Sequence, residues 1–138
     1  MSVRVLIVDD QAPFRAAARA VVDATDGFEV VGESETGEAS IDAAREKKPD
    51  LVLMDVNLPG INGPEATRRI LKDSGGIVVV LLLSTYEEEE YGPKAAECGA
   101  AAYIAKSRFD PDRLAAAWSS ATGMEPTTWV PAPGELTS

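Results

Sequence analysis

In four places an apolar run in this sequence stops abruptly at side chains that can do chemistry. Leu51-Val52-Leu53-Met54 ends at Asp55, and a loop containing Asn57 and Pro59-Gly60 follows; Val3–Val8 ends at Asp9-Asp10; Ile77–Leu83 ends at Ser84-Thr85; and Ala101–Ala105 ends at Lys106. Carboxylates brought close together repel, which raises their proton affinity unless a cation is present. A hard divalent ion such as Mg²⁺ resolves this, because it takes oxygen ligands, keeps several waters and bridges to phosphate. One carboxylate can then attack a phosphoryl group and form an aspartyl-phosphate. Asp55 is the natural nucleophile. Lys106 as a point charge, the Ser84 hydroxyl and backbone N–H groups after Asp55 would meet the charge on the transferring oxygens. No residue is left over as a general base for a second substrate, so the set reads as one built to accept a phosphoryl group.

Each of these residues alone has a plainer explanation. Aspartate before a helix is commonly a cap, a strand-end serine is commonly a satisfied hydroxyl, and a lone lysine is commonly solvated. Tyr103 and Trp118 alone read as core aromatics, Glu87–Glu90 as a solvated face and Cys98 as an inert buried thiol. The argument for chemistry is the coincidence: independent caps would not fall at the carboxyl ends of four different strands.

The elements that must position these residues alternate. Val3 to Val8 reads as a strand apolar enough for burial on both faces. A helix follows from Gln11 to Ala24, with Phe14, Ala17, Ala18, Val21 and Val22 at helical spacing and Pro13 tolerated in the first turn. Phe28 to Gly32 forms the second strand, and about Glu38 to Lys48 the second helix, with Ala39, Ile41, Ala43 and Ala44 as its apolar side. The strand ending at Asp55 comes third and a helix from Pro64 through Lys72 comes next. The seven apolar residues of Ile77–Leu83 form the fourth strand. Glu87 to Cys98 is weakly helical, since Gly92-Pro93 should break or shorten it, and is expected to be the loosest element. Ala101–Ala105 is the fifth strand, and Pro111–Thr122 the last helix, capped by Asp110, with Leu114, Ala117, Trp118 and Ala121 on one face. Such alternation predicts an α/β fold: a five-stranded parallel sheet between two helical layers, a three-layer sandwich of flavodoxin-like (βα)5 type with strand order 2-1-3-4-5. In that order the ends bearing Asp9, Asp10, Asp55, Ser84 and Lys106 share one crevice. Residues 124–138, with Pro126, Pro131, Pro133 and Trp129, read as a linker or tail beyond a single domain at 1–123.

Composition excludes several functions. The 138 residues hold 23 acids against 13 bases, a net charge of −10, which argues against a domain that grips nucleic acid or an anionic membrane itself. The absence of histidine removes the usual zinc sites, His-based triads and a phosphohistidine on this chain, and a single cysteine cannot close an internal disulfide. No apolar stretch of about 18 residues and no charged leader precede the first strand, so a cytoplasmic location is expected.

The motifs carry a resemblance. Val8-Asp9-Asp10, Met54-Asp55-Val56-Asn57-Leu58-Pro59-Gly60, Ser84 and Tyr103-Ile104-Ala105-Lys106 together resemble a response-regulator receiver domain of two-component signalling, over roughly residues 3–122. Val5–Gln11 and Val30–Glu33 are most similar to receivers that usually carry a helix-turn-helix domain. The resemblance implies that Asp55 is the phosphoacceptor, that Asp10 binds Mg²⁺ directly and Asp9 through water, and that the Asn57 main-chain carbonyl completes the metal set. It implies that Lys106 contacts the phosphoryl group and that Ser84 and Tyr103 act as the switch pair, remodelling the surface of the fourth helix and fifth strand. It also implies a sensor histidine kinase or phosphotransfer protein as partner and a phosphorylation-dependent homodimer. Ser107 stands where many members have proline. No helix-turn-helix domain follows, leaving a receiver cut from a longer regulator or a single-domain receiver acting by protein contact.

Three rivals remain. A haloacid-dehalogenase-like phosphatase needs an acid two residues after its nucleophile, where this chain has Asn57. A Rossmann-type nucleotide binder needs glycine in its first turn, which is Asp9-Asp10-Gln11-Ala12-Pro13. A receiver-like binding module that is never phosphorylated is opposed by the intact acid set.

Overall fold

The first strand, β1 (Val3–Val8), lies inside the sheet, and its apolar side chains are divided between two cores. This computed structural model describes residues 2–123; the predicted linker at 124–138, with Trp129, lies outside the described residues. After β1 come α1 (Ala12–Asp23), β2 (Phe28–Ser34), α2 (Gly37–Lys47), β3 (Leu51–Asp55), α3 (Gly63–Ser74), β4 (Val79–Ser84), α4 (Glu88–Ala95), a 3-10 turn at Ala96–Cys98, β5 (Ala102–Ala105), a 3-10 turn at Lys106–Arg108 and α5 (Pro111–Thr122). All strand pairs are parallel, and the five strands lie in the order β2-β1-β3-β4-β5, as the alternation predicts.

Strand side chains alternate between faces, and the alternation sorts the core. Leu6, Val8, Val52, Met54, Val80, Leu82 and Tyr103 face one side, with Ile41, Ala66, Ile70 and Ala95 of the helices α2, α3 and α4. Val3, Val5, Ile7, Leu51, Leu53, Leu81, Leu83 and Ile104 face the other, with Ala18 and Val22 of α1 and Leu114 and Trp118 of α5. Asp9 and Asp55 continue the α1/α5 parity beyond Ile7 and Leu53, whereas Ser84 continues the α4 parity beyond Leu82. The rim therefore joins the two faces.

Two strand boundaries and the buried faces of the helices differ from the sequence expectation. Strand β4 begins at Val79, because the Gly75 cap (φ 70) and Gly76 (φ 81) are left-handed and leave Ile77 56% exposed on a turn. Strand β2 runs on past the expected end at Gly32 to Ser34, which pairs with Val8. In α2 the buried helix positions include Ser40, whose hydroxyl donates to the Gly37 carbonyl at 2.6 Å, while Ala39 is exposed. Ala17 and Ala121 are exposed as well, so the apolar stripes of α1 and α5 are narrower than their alanines suggest. No peptide bond among the described residues is cis, that of Lys106-Ser107 included.

Candidate functional site

The register alone brings the polar strand ends together. Val8 pairs with Met54, which puts Asp9 beside Asp55; Asp55 pairs with Leu83 and Ser84 with Ala105, which puts Ser84 and Lys106 one residue further along the same rim. The main chain then extends the ladder, with the Val56 N–H donating to the Leu83 carbonyl at 3.0 Å.

The carboxylates of Asp9, Asp10 and Asp55 offer ligand atoms that all lie within 4.8 Å of one another. Asp9 is 1% exposed and Asp55 4%, whereas Asp10 is open to solvent. Lys106 is the cation among them: its Nζ lies 2.7 Å from Asp9 Oδ2 and 3.5 Å from Asp55 Oδ1. The contact to Asp9 is an ion pair without hydrogen-bond alignment, so Asp9 Oδ2 is a buried oxygen that accepts no hydrogen bond. Burial, then the charge of Asp9, pushes Asp55 up to about 6 from the ordinary carboxylate value, against the opposing pull of Lys106. One ammonium against three crowded carboxylates leaves negative charge uncompensated and one buried carboxylate oxygen without a hydrogen bond, so the all-oxygen donor set fits a hard divalent ion.

Asn57 is exposed, and its backbone N–H holds the Asp55 carboxylate while its side-chain amide lies 3.4 Å from Ser84 Oγ. Ser84 is buried on the α4 side of the rim. Tyr103 points inward, its hydroxyl donating to the Tyr86 carbonyl at 2.6 Å. Burial pushes the Tyr103 hydroxyl up to about 12, partly offset by a hydrogen bond with Ser84. Its ring touches Tyr91, at 5.1 Å between centroids, and Tyr91 stacks on Tyr86 at 5.6 Å. All seven singled-out residues, Asp9, Asp10, Asp55, Asn57, Ser84, Tyr103 and Lys106, thus lie along this rim, with Tyr103 one layer inside it.

Three contributors escaped the sequence reading. Phe14, assigned only to a helix face, lays its ring 4.5 Å from Lys106 Nζ, with Phe109 behind it at 6.5 Å. A cation over an aromatic face is held without a competing anion. Gly63 opens α3 against the backbone of Asp55 and Val56: its N–H donates to the Val56 carbonyl at 2.9 Å, and a Cβ there would sit 2.1 Å from the Asp55 carbonyl oxygen. Any side chain would displace the strand end that carries Asp55. The Gln11 N–H donates to Asp9 Oδ1 at 2.8 Å and fixes that carboxylate. A Phe-Arg pair one turn into the helix was visible in the sequence, but nothing in its spacing marked it as facing the lysine.

Residues 5–119 match the family described as the response regulator receiver domain. The chain is 43% identical over 104 residues to the response regulator GacA of Pseudomonas viridiflava, which covers 75% of this chain and 48% of that protein. It is 36% identical over 104 residues to the response regulator UvrY of Escherichia coli (strain K12), covering 75% and 47%. Among solved structures, a two-component response regulator of the LuxR family from Aurantimonas sp. SI85-9A1 superposes with a TM-score of 0.79 at 32% identity, covering 91% of this chain and 89% of that one. The chain spans about half the length of the curated relatives it matches. No helix among the described residues is long and apolar enough to cross a membrane.

Proposed function

Because the chain belongs to the response regulator receiver family of two-component signalling, we propose that it accepts a phosphoryl group on Asp55 with Mg²⁺ bound and passes the change to the α4 surface. The observation that carries this is the buried acid cluster with a single ammonium against it.

Asp9, Asp10 and Asp55, with the Asn57 main-chain carbonyl, are the groups that would hold the ion. When bound, it neutralises the carboxylates and the phosphoryl oxygens. An Asp55 oxygen forms the new O–P bond as the bond from phosphorus to the donor's leaving group breaks, and the leaving group departs with that electron pair. Lys106, steered by Asp9 and Phe14, turns its ammonium to a phosphoryl oxygen. The Ser84 hydroxyl exchanges its weak contact with Asn57 for a second one, and the Tyr103 ring follows into the space Ser84 leaves. Such charge-assisted contacts bias a two-state surface.

The donor is a sensor histidine kinase or phosphotransfer protein in the cytoplasm. The changed surface binds a protein, a second copy of the chain included. In a longer regulator the same change governs a DNA-binding domain and so transcription; the net charge of this chain, −10, argues against its gripping nucleic acid itself. Incubation with a small phosphodonor tests the reading by intact mass. The wild type gains one phosphoryl group with Mg²⁺ and none with a chelator, and Asp55→Asn gains none. Retained labelling in that variant moves the nucleophile elsewhere; an unlabelled wild type leaves a receiver-like binding module.

A further inference from the structure

Arg15 lies one turn into α1 with its side chain only 13% exposed, and it reaches three acceptors on two elements. Its Nη1 donates to the Asp9 main-chain carbonyl at 2.8 Å, its Nε to Glu33 Oε1 at 3.1 Å and its Nη2 to Glu35 Oε1 at 3.1 Å. That carbonyl belongs to the peptide joining Asp9 to Asp10. Asp9 is otherwise fixed on every side: its N–H donates to the Ser34 carbonyl at 3.0 Å, its Oδ1 accepts from Gln11 and its Oδ2 faces Lys106. Asp10 is the opposite case. It is exposed, and its side chain has no hydrogen bond or ion pair among the described residues. The peptide that leads into Asp10 is the one whose carbonyl Arg15 holds.

We infer that Arg15 is a positioning residue for the divalent-ion site: held by Glu33 and Glu35, its guanidinium locks the Asp9–Asp10 peptide so that Asp10 meets the ion. The inference rests on the Mg²⁺-dependent reading above. A rigid fork of donors suits three acceptors in different directions, and a lysine ammonium does not. Groups that orient ligands from behind contribute about 10–100-fold in metal affinity. Arg19 is an internal control. It pairs with Glu33 at 2.9 Å through Nε but makes no hydrogen bond to Asp9.

Titration calorimetry of the full chain with Mg²⁺ alone, beside melting points without metal, tests this. Arg15→Gln weakens Mg²⁺ binding about tenfold, and Arg15→Lys stays weak. Glu33→Gln with Glu35→Gln, which frees the fork while leaving Asp9 untouched, weakens binding to a smaller degree, and Arg19→Gln leaves it unchanged. Wild-type affinity in a folded Arg15→Gln overturns the inference, as does an equal loss in Arg19→Gln. If Arg15→Gln fails to fold, unchanged affinity in the Glu33/Glu35 double variant overturns it instead. A wild type that binds no Mg²⁺ takes the phosphoacceptor reading down as well, which separates the two failures.

Discussion

Helices α4 and α5 flank the same strand from opposite faces and are built to opposite standards. The twelve residues of α5 start on a full cap, the Asp110 carboxylate accepting the Arg113 N–H at 2.8 Å, with Pro111 in the first position and Gly123 left-handed at the end. Leu114 and Trp118 are sunk into the core, where Trp118 meets Phe28 edge-on at 6.2 Å. The eight residues of α4 have no side-chain cap, bury only Ala95 and contain Pro93, so the Glu89 carbonyl lacks its usual helical partner. What holds α4 is peripheral: Glu88 against Arg108 at 3.5 Å and Arg113 at 3.3 Å, and the Tyr86–Tyr91–Tyr103 stack. Surface ion pairs of that kind contribute little. The difference divides the labour: α5 is a wall, and α4 is a part that can be moved by a few hydrogen bonds. Ser84 and Tyr103, the proposed relay, stand on the α4 side of the sheet, and Asp9 and Asp55 stand on the α5 side.

The contrast is broken most severely by Trp118→Ala, expected to cost about 3–5 kcal/mol in urea unfolding because it empties the fully buried centre of the α5 face. Tyr91→Ala, on half-buried α4, should cost far less. Equal losses would mean that α4 is no more loosely held than α5.

The next effect is one of pH. The folded Asp55 sits at about 6, above the unfolded carboxylate near 3.9, so the metal-free folded state binds the extra proton between those values. Its contribution is therefore most favourable below about pH 4 and is lost as pH rises through 6, up to about 3 kcal/mol in all. In a chelator, Asp55→Asn should gain on the wild type between pH 5 and 7.5, and Mg²⁺ should narrow the gap. A pH-independent difference between the two proteins would show that Asp55 is not strained by its neighbours.

A smaller loss, about 1 kcal/mol, is expected from Asp110→Ala by removal of the α5 cap, measured as a shift in the urea midpoint. The smallest global effect is that of Pro93→Ala. It restores a backbone donor within α4 and should slow amide exchange across 88–98 while moving overall stability by less than about 1 kcal/mol. Unchanged local exchange would show that Pro93 is not what loosens the helix.

The sheet order and the convergence of Asp9, Asp55, Ser84 and Lys106 were legible because parallel strands buried on both faces read as apolar runs with polar ends. Two kinds of feature were not. Ile77 extended an apolar run that two left-handed glycines actually end, since periodicity counts hydrophobicity and not backbone sign. Phe14, Arg15 and Gly63 act through tertiary contacts with Lys106, the Asp9 carbonyl and the Asp55 carbonyl, which no local pattern encodes. Of the two outcomes expected for α4, a break or a shortening at Gly92-Pro93, the structure shows the second: the helix is eight residues long and tightens to a 3-10 turn at Ala96–Cys98.

The central claim is that chemistry at Asp55 is felt in α4 and not in α5. Peptide-resolved hydrogen exchange, with and without a small phosphodonor in Mg²⁺, tests it directly. The account predicts altered exchange across 86–98, unchanged exchange across 111–122, and no response in Asp55→Asn. An equal change in both helices, or the same change in the variant, would contradict it.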